Sequence, residues 1–387
     1  MNNIDKNDLY AYCFKECKIS CSVAKKLCKL YGKFENVILS FSYDENLNVY
    51  NCTEGAFFKE KELRKIENAI QKIKKEENIL FESGKIFYAD LIKNGINWTH
   101  LCKEDYPKKL KNIEDPPIIL FYKGKLPDEK RPSVAIVGAR ECSAYGEKVA
   151  GIFARELSVK GVQIISGMAR GIDGIAQRNS IKVNGSTFGI LGFGLDVIYP
   201  KDNAGLFNDI LENGGLISEF LPKTEPQKSF FPARNRIISG LSDIVLVVEA
   251  RKKSGTYITV TQALEQGRDV YAIPGRITDL LSEGCNSLLA NGAGIAFNSD
   301  VLIEELKNKN YIFEEGSFEI IKEKTYCVGN SIEERIISLL KEDDYNLEAL
   351  YNDLSGNISV EELSIALVDM ETDGKIKRRG CRFSLAT

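Results

Sequence analysis

Short apolar runs alternate with helix-like stretches across residues 133–307, and this alternation constrains the fold more than any other feature. The apolar runs lie at 134–137, 162–165, 187–191, 215–217, 244–248 and 270–273. Helix-like stretches of ten to sixteen residues separate most of them. Strands that alternate with helices pair in parallel through right-handed crossovers. The pattern predicts an α/β fold with a mostly parallel, Rossmann-like sheet and helices on both faces.

A small helical domain is expected before this core. Residues 1–95 contain "SVAKKLCKLYG" and "KEKELRKIENAIQKIKKEENILFESG", which have helical apolar spacing, with Gly32 and Gly84 as expected stops. These features predict an N-terminal helical, SAM-like domain over 1–95. The Asp115-Pro116-Pro117 segment forces extended backbone, so a short strand should follow at 118–122. The Rossmann-like domain is expected over 96–308, with its core at 133–300.

A second small domain is expected at the C-terminal end, after a linker at 309–330. Residues 331–387 contain three helical segments, followed by "KIKRRGCRFSLA", which alternates around Gly380 as a two-stranded wing would. Three helices and a wing predict a winged-helix-like domain. This region has 7 basic and 12 acidic residues, a balance that does not suit an independent duplex reader. A protein-contact or regulatory role is favoured.

The charge of the chain gives no general reason to expect a polyanionic partner. The formal net charge is -3, and residues 133–300 contain 17 basic and 17 acidic side chains. Nucleic-acid binding would therefore require a local basic patch. No signal peptide or membrane-length apolar run is visible in the sequence, so no membrane association is expected.

The cysteine and histidine content argues against metal and histidine-dependent sites. The ten cysteines are expected to be reduced thiols, with Cys13, Cys17 and Cys21 along one side of a helix. No close C-x-x-C pair suggests a metal site. His100 is the single histidine, which disfavours a His-dependent triad or a multi-His metal site.

Three glycine-containing turns follow predicted strands and are expected to meet at one edge of the sheet. They are Gly138-Ala139-Arg140, "SGMARGIDGIA" at 166–176 and "GFGLDVIYPKDN" at 192–203. Glycines permit close approach of a ligand to the backbone, and free N–H groups at helix N-termini favour anions. Arg140 and Arg170 add charge, so the turns predict a phosphate ligand. No Walker lysine or G-x-G-x-x-G is present, which disfavours nucleoside triphosphates and NAD, and no cofactor is predicted.

The segment "KSFFPARNRIISG" places two arginines near the start of a helix, because Pro232 suits a first turn. The helix dipole disfavours cations there, which an anionic partner would offset. Arg234 and Arg236 point about 200° apart on a helix, so one is expected to face the ligand while the other anchors the loop. Asp173, Asp196 and Glu249 are expected to cap turns and hold loops, with catalysis left open. Phe230 and Phe231 are expected in the core, although one could stack on a base.

Together these motifs resemble the DNA processing protein A family, DprA, also called Smf. The matching stretches are "YPKKL", "DPPIILFYKG", "VAIVGAR..SAYG", "SGMARGID", "GFGLDVIYP", "GLISE", "FPARNRIISGLS", "VVEA...SGTYIT", "PG" and "SEGCNSLLANGA". The family commonly has a histidine shortly after "GID", and this chain has Gln177 there. That departure fits a protein that binds rather than catalyses.

The resemblance implies a cytoplasmic, non-catalytic protein that binds and protects incoming single-stranded DNA in natural transformation. It also implies loading of the RecA recombinase and a homodimer formed through the Rossmann-like domain. Carried over by position, the phosphate-binding residues would be Gly138, Arg140, Ser166, Gly167, Arg170, Gly171, Lys228, Arg234, Asn235 and Arg236.

Two other functions remain open from the residues. One is a nucleotide-binding or nucleotide-hydrolysing enzyme of the lysine-decarboxylase-like Rossmann type, in which Glu249 and Ser254-Gly255-Thr256 faintly match the catalytic loop. The other makes the C-terminal winged-helix-like domain the DNA reader, as in a transcription regulator.

Overall fold

The structure is a computed structural model, and it describes residues 4–44, 49–51, 57–313, 332–341, 345–354, 359–379 and 382–386. The chain forms two compact units, Met1–Phe318 and Glu319–Thr387. No helix in these ranges combines the length and apolar character that crossing a bilayer requires. The predicted linker at 309–330 lies mostly outside the described residues.

The first unit begins with helices that pack onto the sheet. Their elements are α1 (Lys6–Glu16), α2 (Cys21–Tyr31), α3 (Phe34–Ser40), β1 (Ser42–Asp44), β2 (Val49–Asn51) and α4 (Glu60–Lys93). Phe14 on α1 and Ile70 on α4 belong to the same hydrophobic cluster as the sheet residue Phe121. The N-terminal helical part is confirmed, but the predicted boundary after residue 95 does not coincide with a division between compact units.

The two glycines expected to end helices behave differently. Gly32 does end α2: its φ is 76°, and its N–H donates to the Cys28 carbonyl at 2.9 Å. Gly84 does not end a helix, because α4 continues through it to Lys93. A Cβ at Gly84 would lie 3.0 Å from Leu9 Cδ2 and 3.2 Å from Tyr12 Cδ1. Gly84 therefore allows α4 to pack closely on α1, and the prediction of a stop is wrong.

The prediction that Cys13, Cys17 and Cys21 share one helix is also wrong. Helix α1 ends at Glu16, and Cys17 is its C-cap. Lys18 adopts a left-handed φ of 55°, which redirects the chain before α2 starts at Cys21. A four-residue spacing thus spans two helices and a turn.

A disulfide joins α2 to the turn after Asn97–His100. It links Cys28 and Cys102, whose Cα atoms are 5.8 Å apart, so the expectation of reduced thiols is wrong for these two. Five other described cysteines are free, among them Cys13 and Cys285. Burial raises the pKa of each of these two thiols to about 12, which keeps them protonated at neutral pH.

Nine strands form the central sheet. They are β3 (Asn97–His100), β4 (Ile119–Gly124), β5 (Ser133–Val137), β6 (Gln163–Ser166), β7 (Thr187–Leu191), β8 (Gly215–Ser218), β9 (Ile244–Val247), β10 (Asp269–Ala272) and β11 (Gly294–Ile295). Their order is β11-β10-β9-β5-β6-β7-β8-β4-β3. All neighbours from β11 to β8 are parallel, and β4 and β3 continue the sheet antiparallel. The mostly parallel Rossmann-like sheet is confirmed.

Helices cover both faces of this sheet. They are α5 (Lys108–Lys111), α6 (Ala144–Val159), α7 (Ile172–Lys182), α8 (Ala204–Asn213), α9 (Phe230–Gly240), α10 (Thr256–Glu265), α11 (Glu283–Ala290) and α12 (Ser299–Asn308). Side chains on β5 alternate between the faces: Ala135 and Val137 belong to one hydrophobic cluster, Val134 and Ile136 to another. Both faces of β5 are therefore buried, which explains its uninterrupted apolar sequence.

The second unit has its own hydrophobic cluster, which includes Ile336, Leu367 and Phe383. Its elements are α13 (Ile332–Leu340), β12 (Tyr345–Asn346), α14 (Leu347–Asp353), α15 (Val360–Thr372), β13 (Ile376–Arg379) and β14 (Arg382–Leu385). Strand β14 pairs antiparallel with both β12 and β13. Three helices and a hairpin thus follow in the predicted order, while Gly380 lies outside the described residues. The winged-helix class stays a prediction.

Candidate functional site

A cleft of about 560 Å³ opens at the carboxyl ends of the parallel strands. It lies beside β5 and β9, where the strand order reverses, and such a switch point is where open α/β sheets bind ligands. The loop after β5 supplies Gly138 and Arg140, and the start of α10 supplies Thr256. The N-terminal part of α9 and the segment before it supply the rest of one wall, including Lys228 and Asn235.

Two cations in this cleft are exposed. Arg140 and Lys228 both line it, and neither forms an ion pair within the part of the chain that the structure describes. The Arg140 guanidinium lies 5.6 Å from the centre of the Phe231 ring, which supports it from one side. Both cations are therefore exposed at the cleft without an ion-pair partner among the described residues.

Arg234 also lines the cleft, but it is buried and forms part of its floor. Its Nη1 donates to the Gly167 carbonyl at 2.6 Å and to the Ile190 carbonyl. Burial lowers the pKa of Arg234 to about 10, against the attraction of Asp173, so the side chain remains charged at neutral pH. Burial likewise raises the pKa of Asp173. Arg234 therefore links the ends of β6 and β7 and adds positive potential to the floor.

Two predicted arginines point elsewhere. Arg236 follows Arg234 by two residues on α9. It forms a bidentate ion pair with Glu219, in which Nη2 lies 2.6 Å from Oε2. Arg170 is exposed at the edge of the loop after β6, where its Nε lies 2.6 Å from Asp202 Oδ2. Neither lines the cleft. The helical geometry thus gives Arg234 to the cleft and Arg236 to an internal ion pair.

The predicted serine and glycines shape the loops around the cleft. Ser166 is fully buried, and its hydroxyl donates to the Ile136 carbonyl at 2.7 Å. The Gly167 N–H donates to Asp173 Oδ2 at 3.1 Å. Gly171 has φ 71°, and a Cβ there would collide with the Ala139 and Arg140 carbonyl groups. The polar groups of Ser166 and Gly167 are thus engaged within the protein, and Gly171 allows its loop to approach the loop after β5.

The remaining predicted residues border the cleft directly. A Cβ on Gly138 would lie 2.8 Å from Ile172 Cγ1, so glycine permits close packing of the turn on α7. Asn235 accepts a hydrogen bond from Arg234 Nε at 3.2 Å through its Oδ1. Sequence reasoning did not assign two further cleft residues, Tyr199 and Ile258. The only sequence signal was position: Tyr199 lies in the loop after β7, and Ile258 lies in the first turn of α10, the helix that follows β9.

The candidate carboxylates hold loops in place. Asp196 Oδ1 accepts from the Lys223 N–H at 2.7 Å. Glu249 is buried and accepts from the Ser143 N–H at 2.9 Å and from the Ser143 hydroxyl, at the N-terminus of α6. Ser254-Gly255-Thr256 lines the cleft but Glu249 does not, so the loop and the glutamate of the nucleotide-hydrolysing alternative do not face the same space. Gln177 is fully buried, and its Nε2 donates to the Phe188 carbonyl at 3.2 Å.

One group of side chains has the composition of a metal site. Ligand atoms of Asp5, Asp8 and His100 lie within 4.8 Å of one another. However, Asp8 Oδ1 already accepts from Trp98 Nε1 at 2.8 Å and lies 2.7 Å from Lys103 Nζ. The lysine ammonium supplies the positive charge that a cation would bring, so Asp8 and His100 belong to a buried polar network, while Asp5 lies exposed at its edge.

Comparisons with known proteins agree with this architecture. The chain is 42% identical over 224 residues to DNA processing protein DprA of Bacillus subtilis, covering 58% of this chain and 75% of the relative. It is 45% identical over 204 residues to the Streptococcus pneumoniae protein of the same name, covering 51% and 71%.

Two solved structures of DNA processing protein A are also similar. The structure from Streptococcus pneumoniae has a TM-score of 0.59 and 33% identity, with 79% of this chain and 99% of the other covered. The structure from Helicobacter pylori, described for its single-stranded DNA binding mode, has a TM-score of 0.50 and 33% identity, with 56% and 98% covered. The family model for DNA recombination-mediator protein A matches residues 97–307, more than half of the chain. This chain therefore belongs to the DNA recombination-mediator protein A family.

Proposed function

We propose that the chain binds single-stranded DNA through the cleft, with the phosphates at Arg140 and Lys228, and does so without catalysing a reaction. The observation that carries this proposal is that neighbouring cations differ in whether they form ion pairs with carboxylates. Arg170 and Arg236 are paired with carboxylates, whereas Arg140 and Lys228 face the cleft without ion pairs among the described residues. Exposed cations beside a concave apolar wall suit a flexible polyphosphate strand.

The salt dependence of binding tests this assignment. Each phosphate neutralised on a single strand contributes roughly -0.7 to the slope of log affinity against log salt concentration. Arg140→Ala should weaken binding to a labelled oligothymidine and flatten the slope by roughly 0.7. Fluorescence anisotropy over a series of KCl concentrations measures both quantities.

A control removes an arginine outside the cleft. Arg64 is exposed and pairs with Glu60 one turn away on α4, so Arg64→Ala makes the same change in net charge away from the site. This variant should bind like the original chain. An Arg140→Ala variant whose salt slope equals that of Arg64→Ala would contradict the phosphate assignment.

The physiological role that we propose is protection of incoming strands and loading of the RecA recombinase during transformation and recombination. Family membership supports this role, since the matching family is one of recombination mediators. The chain should accelerate RecA-dependent strand exchange on single strands that are already coated with single-strand-binding protein. Equal rates with and without the chain would remove this part of the proposal.

We also propose a homodimer through the Rossmann-like unit. Strand β11 is an edge of the sheet, and Ile295 on it is 54% exposed. Leu264 on α10 is 61% exposed. An open strand edge and exposed apolar side chains each favour association with another chain. A Leu264→Glu, Ile295→Glu double variant should be monomeric in sedimentation experiments, whereas Leu39→Glu, at an exposed leucine on α3, should not change the oligomeric state.

A further inference from the structure

Phosphate binding accounts for the cations of the cleft and leaves its exposed apolar side chains unexplained. Tyr199 is 44% exposed and Ile258 is 39% exposed, and both line the cleft. They come from different elements, the loop after β7 and helix α10. Exposing large apolar side chains to water costs free energy. Binding a phosphate does not offset this cost, because a hydrophilic anion does not bury the apolar surface.

The Tyr199 ring is held in place by its aromatic neighbours. Its centroid lies 5.9 Å from that of Phe193 in an edge-on arrangement and 6.0 Å from that of Phe231. Phe231 in turn supports the Arg140 guanidinium, 5.6 Å from its ring centre. The exposed tyrosine is thus fixed one aromatic ring away from a phosphate-binding cation.

We infer that Tyr199 and Ile258 form a base-binding wall in the cleft, on which an unpaired nucleobase stacks while its phosphates contact Arg140 and Lys228. This inference rests on the proposed function. Every base has a flat apolar face, so such a wall accepts any sequence. A duplex keeps those faces stacked inside, so the wall selects single strands.

The test compares two oligomers of equal length, oligothymidine and an abasic deoxyribose-phosphate chain. Loss of one stacking platform reduces affinity roughly 5- to 150-fold. Tyr199→Ala should show a loss of this size for oligothymidine, with little change for the abasic chain and an unchanged salt slope. Tyr199→Phe should retain binding, because it keeps the ring. Tyr145→Ala is the matched control, since Tyr145 is 49% exposed and does not line the cleft.

A second measurement uses the unmodified chain and does not depend on the stability of a variant. An oligomer that carries 5-iodouracil should crosslink to Tyr199 on irradiation, as identified by mass spectrometry of the peptides. Equal losses on both oligomers, no loss on either, or crosslinks only outside the cleft would each overturn the inference. If the original chain binds neither oligomer, the proposed function itself fails. If only the Tyr199 results fail, phosphate binding at Arg140 stands.

Discussion

Arg140 and Arg234 line the same cleft in opposite environments. Arg140 is exposed, while Arg234 is 4% exposed and donates to two backbone carbonyl groups. A guanidinium is always charged at neutral pH, so both contribute positive potential. Only the exposed Arg140 can exchange bound water for a phosphate. The buried Arg234 instead stabilises the backbone that forms the floor of the cleft.

We therefore predict different effects on stability. Arg234→Ala leaves the Gly167 and Ile190 carbonyl groups without this donor and Asp173 buried without its counter-charge, so the free energy of unfolding should fall by about 3–5 kcal/mol. Arg140→Ala should change it by less than about 0.5 kcal/mol, as expected for a surface site. Urea denaturation measures both. A fully stable Arg234→Ala variant would show that the floor does not depend on this side chain.

A second prediction concerns pH. Burial lowers the pKa of His100 to about 4, although Asp8 opposes the shift. The unfolded chain has an ordinary pKa near 6.5. Between these values the unfolded state takes up a proton that the folded state excludes. The stabilisation is therefore complete above about pH 6.5 and is lost as the pH falls toward 4, by up to about 3 kcal/mol.

Urea unfolding at pH 7 and pH 4.5 tests this prediction. The difference between the two pH values should be smaller for His100→Gln than for the original chain, because the carboxylates contribute to both proteins. Equal differences would mean that His100 is protonated in the folded state.

At the scale of elements, the packing of α4 on α1 yields a third prediction. Leucine at Gly84 would collide with Leu9 and Tyr12 and should destabilise the protein by about 1–3 kcal/mol. The neighbouring Ser83 is exposed, so Ser83→Leu should leave the thermal unfolding midpoint almost unchanged. Similar midpoints for the two variants would indicate that α1 and α4 separate easily.

The sequence predicts the strands well because their environment is uniform. Strands such as β5 and β9 are buried on both faces. Their continuous apolar sequences would be unstable at the surface, so they indicate buried strands directly. The predictions for Gly84 and the spaced cysteines are wrong for two reasons. A glycine can either end a helix or allow a second helix to pack closely against it. A four-residue spacing places side chains on one face only where the helix is uninterrupted. Both outcomes depend on tertiary contacts that local sequence does not contain.

The site was predictable at the level of loops and less so at the level of side chains. The strand order brings the predicted loops to one edge, and Arg140 is placed as expected. Helical geometry separates Arg234 from Arg236, but only the position of Glu219 decides which one is diverted. Arg170 is similarly paired by Asp202, an acid from a different loop.

At the scale of the molecule, the two compact units have separate hydrophobic clusters. We predict that deletion of residues 331–387 leaves the affinity for oligothymidine within about twofold, because the cleft belongs wholly to the first unit. Anisotropy titration of the shortened chain measures this. Loss of most of the affinity would instead assign DNA reading to the C-terminal unit.

The Arg234 side chain links the ends of β6 and β7 beneath the cleft through hydrogen bonds that need no ligand. If DNA binds as proposed, the cleft is preorganised, and the entropy lost on binding would fall mainly on the nucleic acid and on the Arg140 and Lys228 side chains. A cleft that needs no reshaping would treat successive nucleotides alike, so the proposed complex should form at any point along a single-stranded DNA.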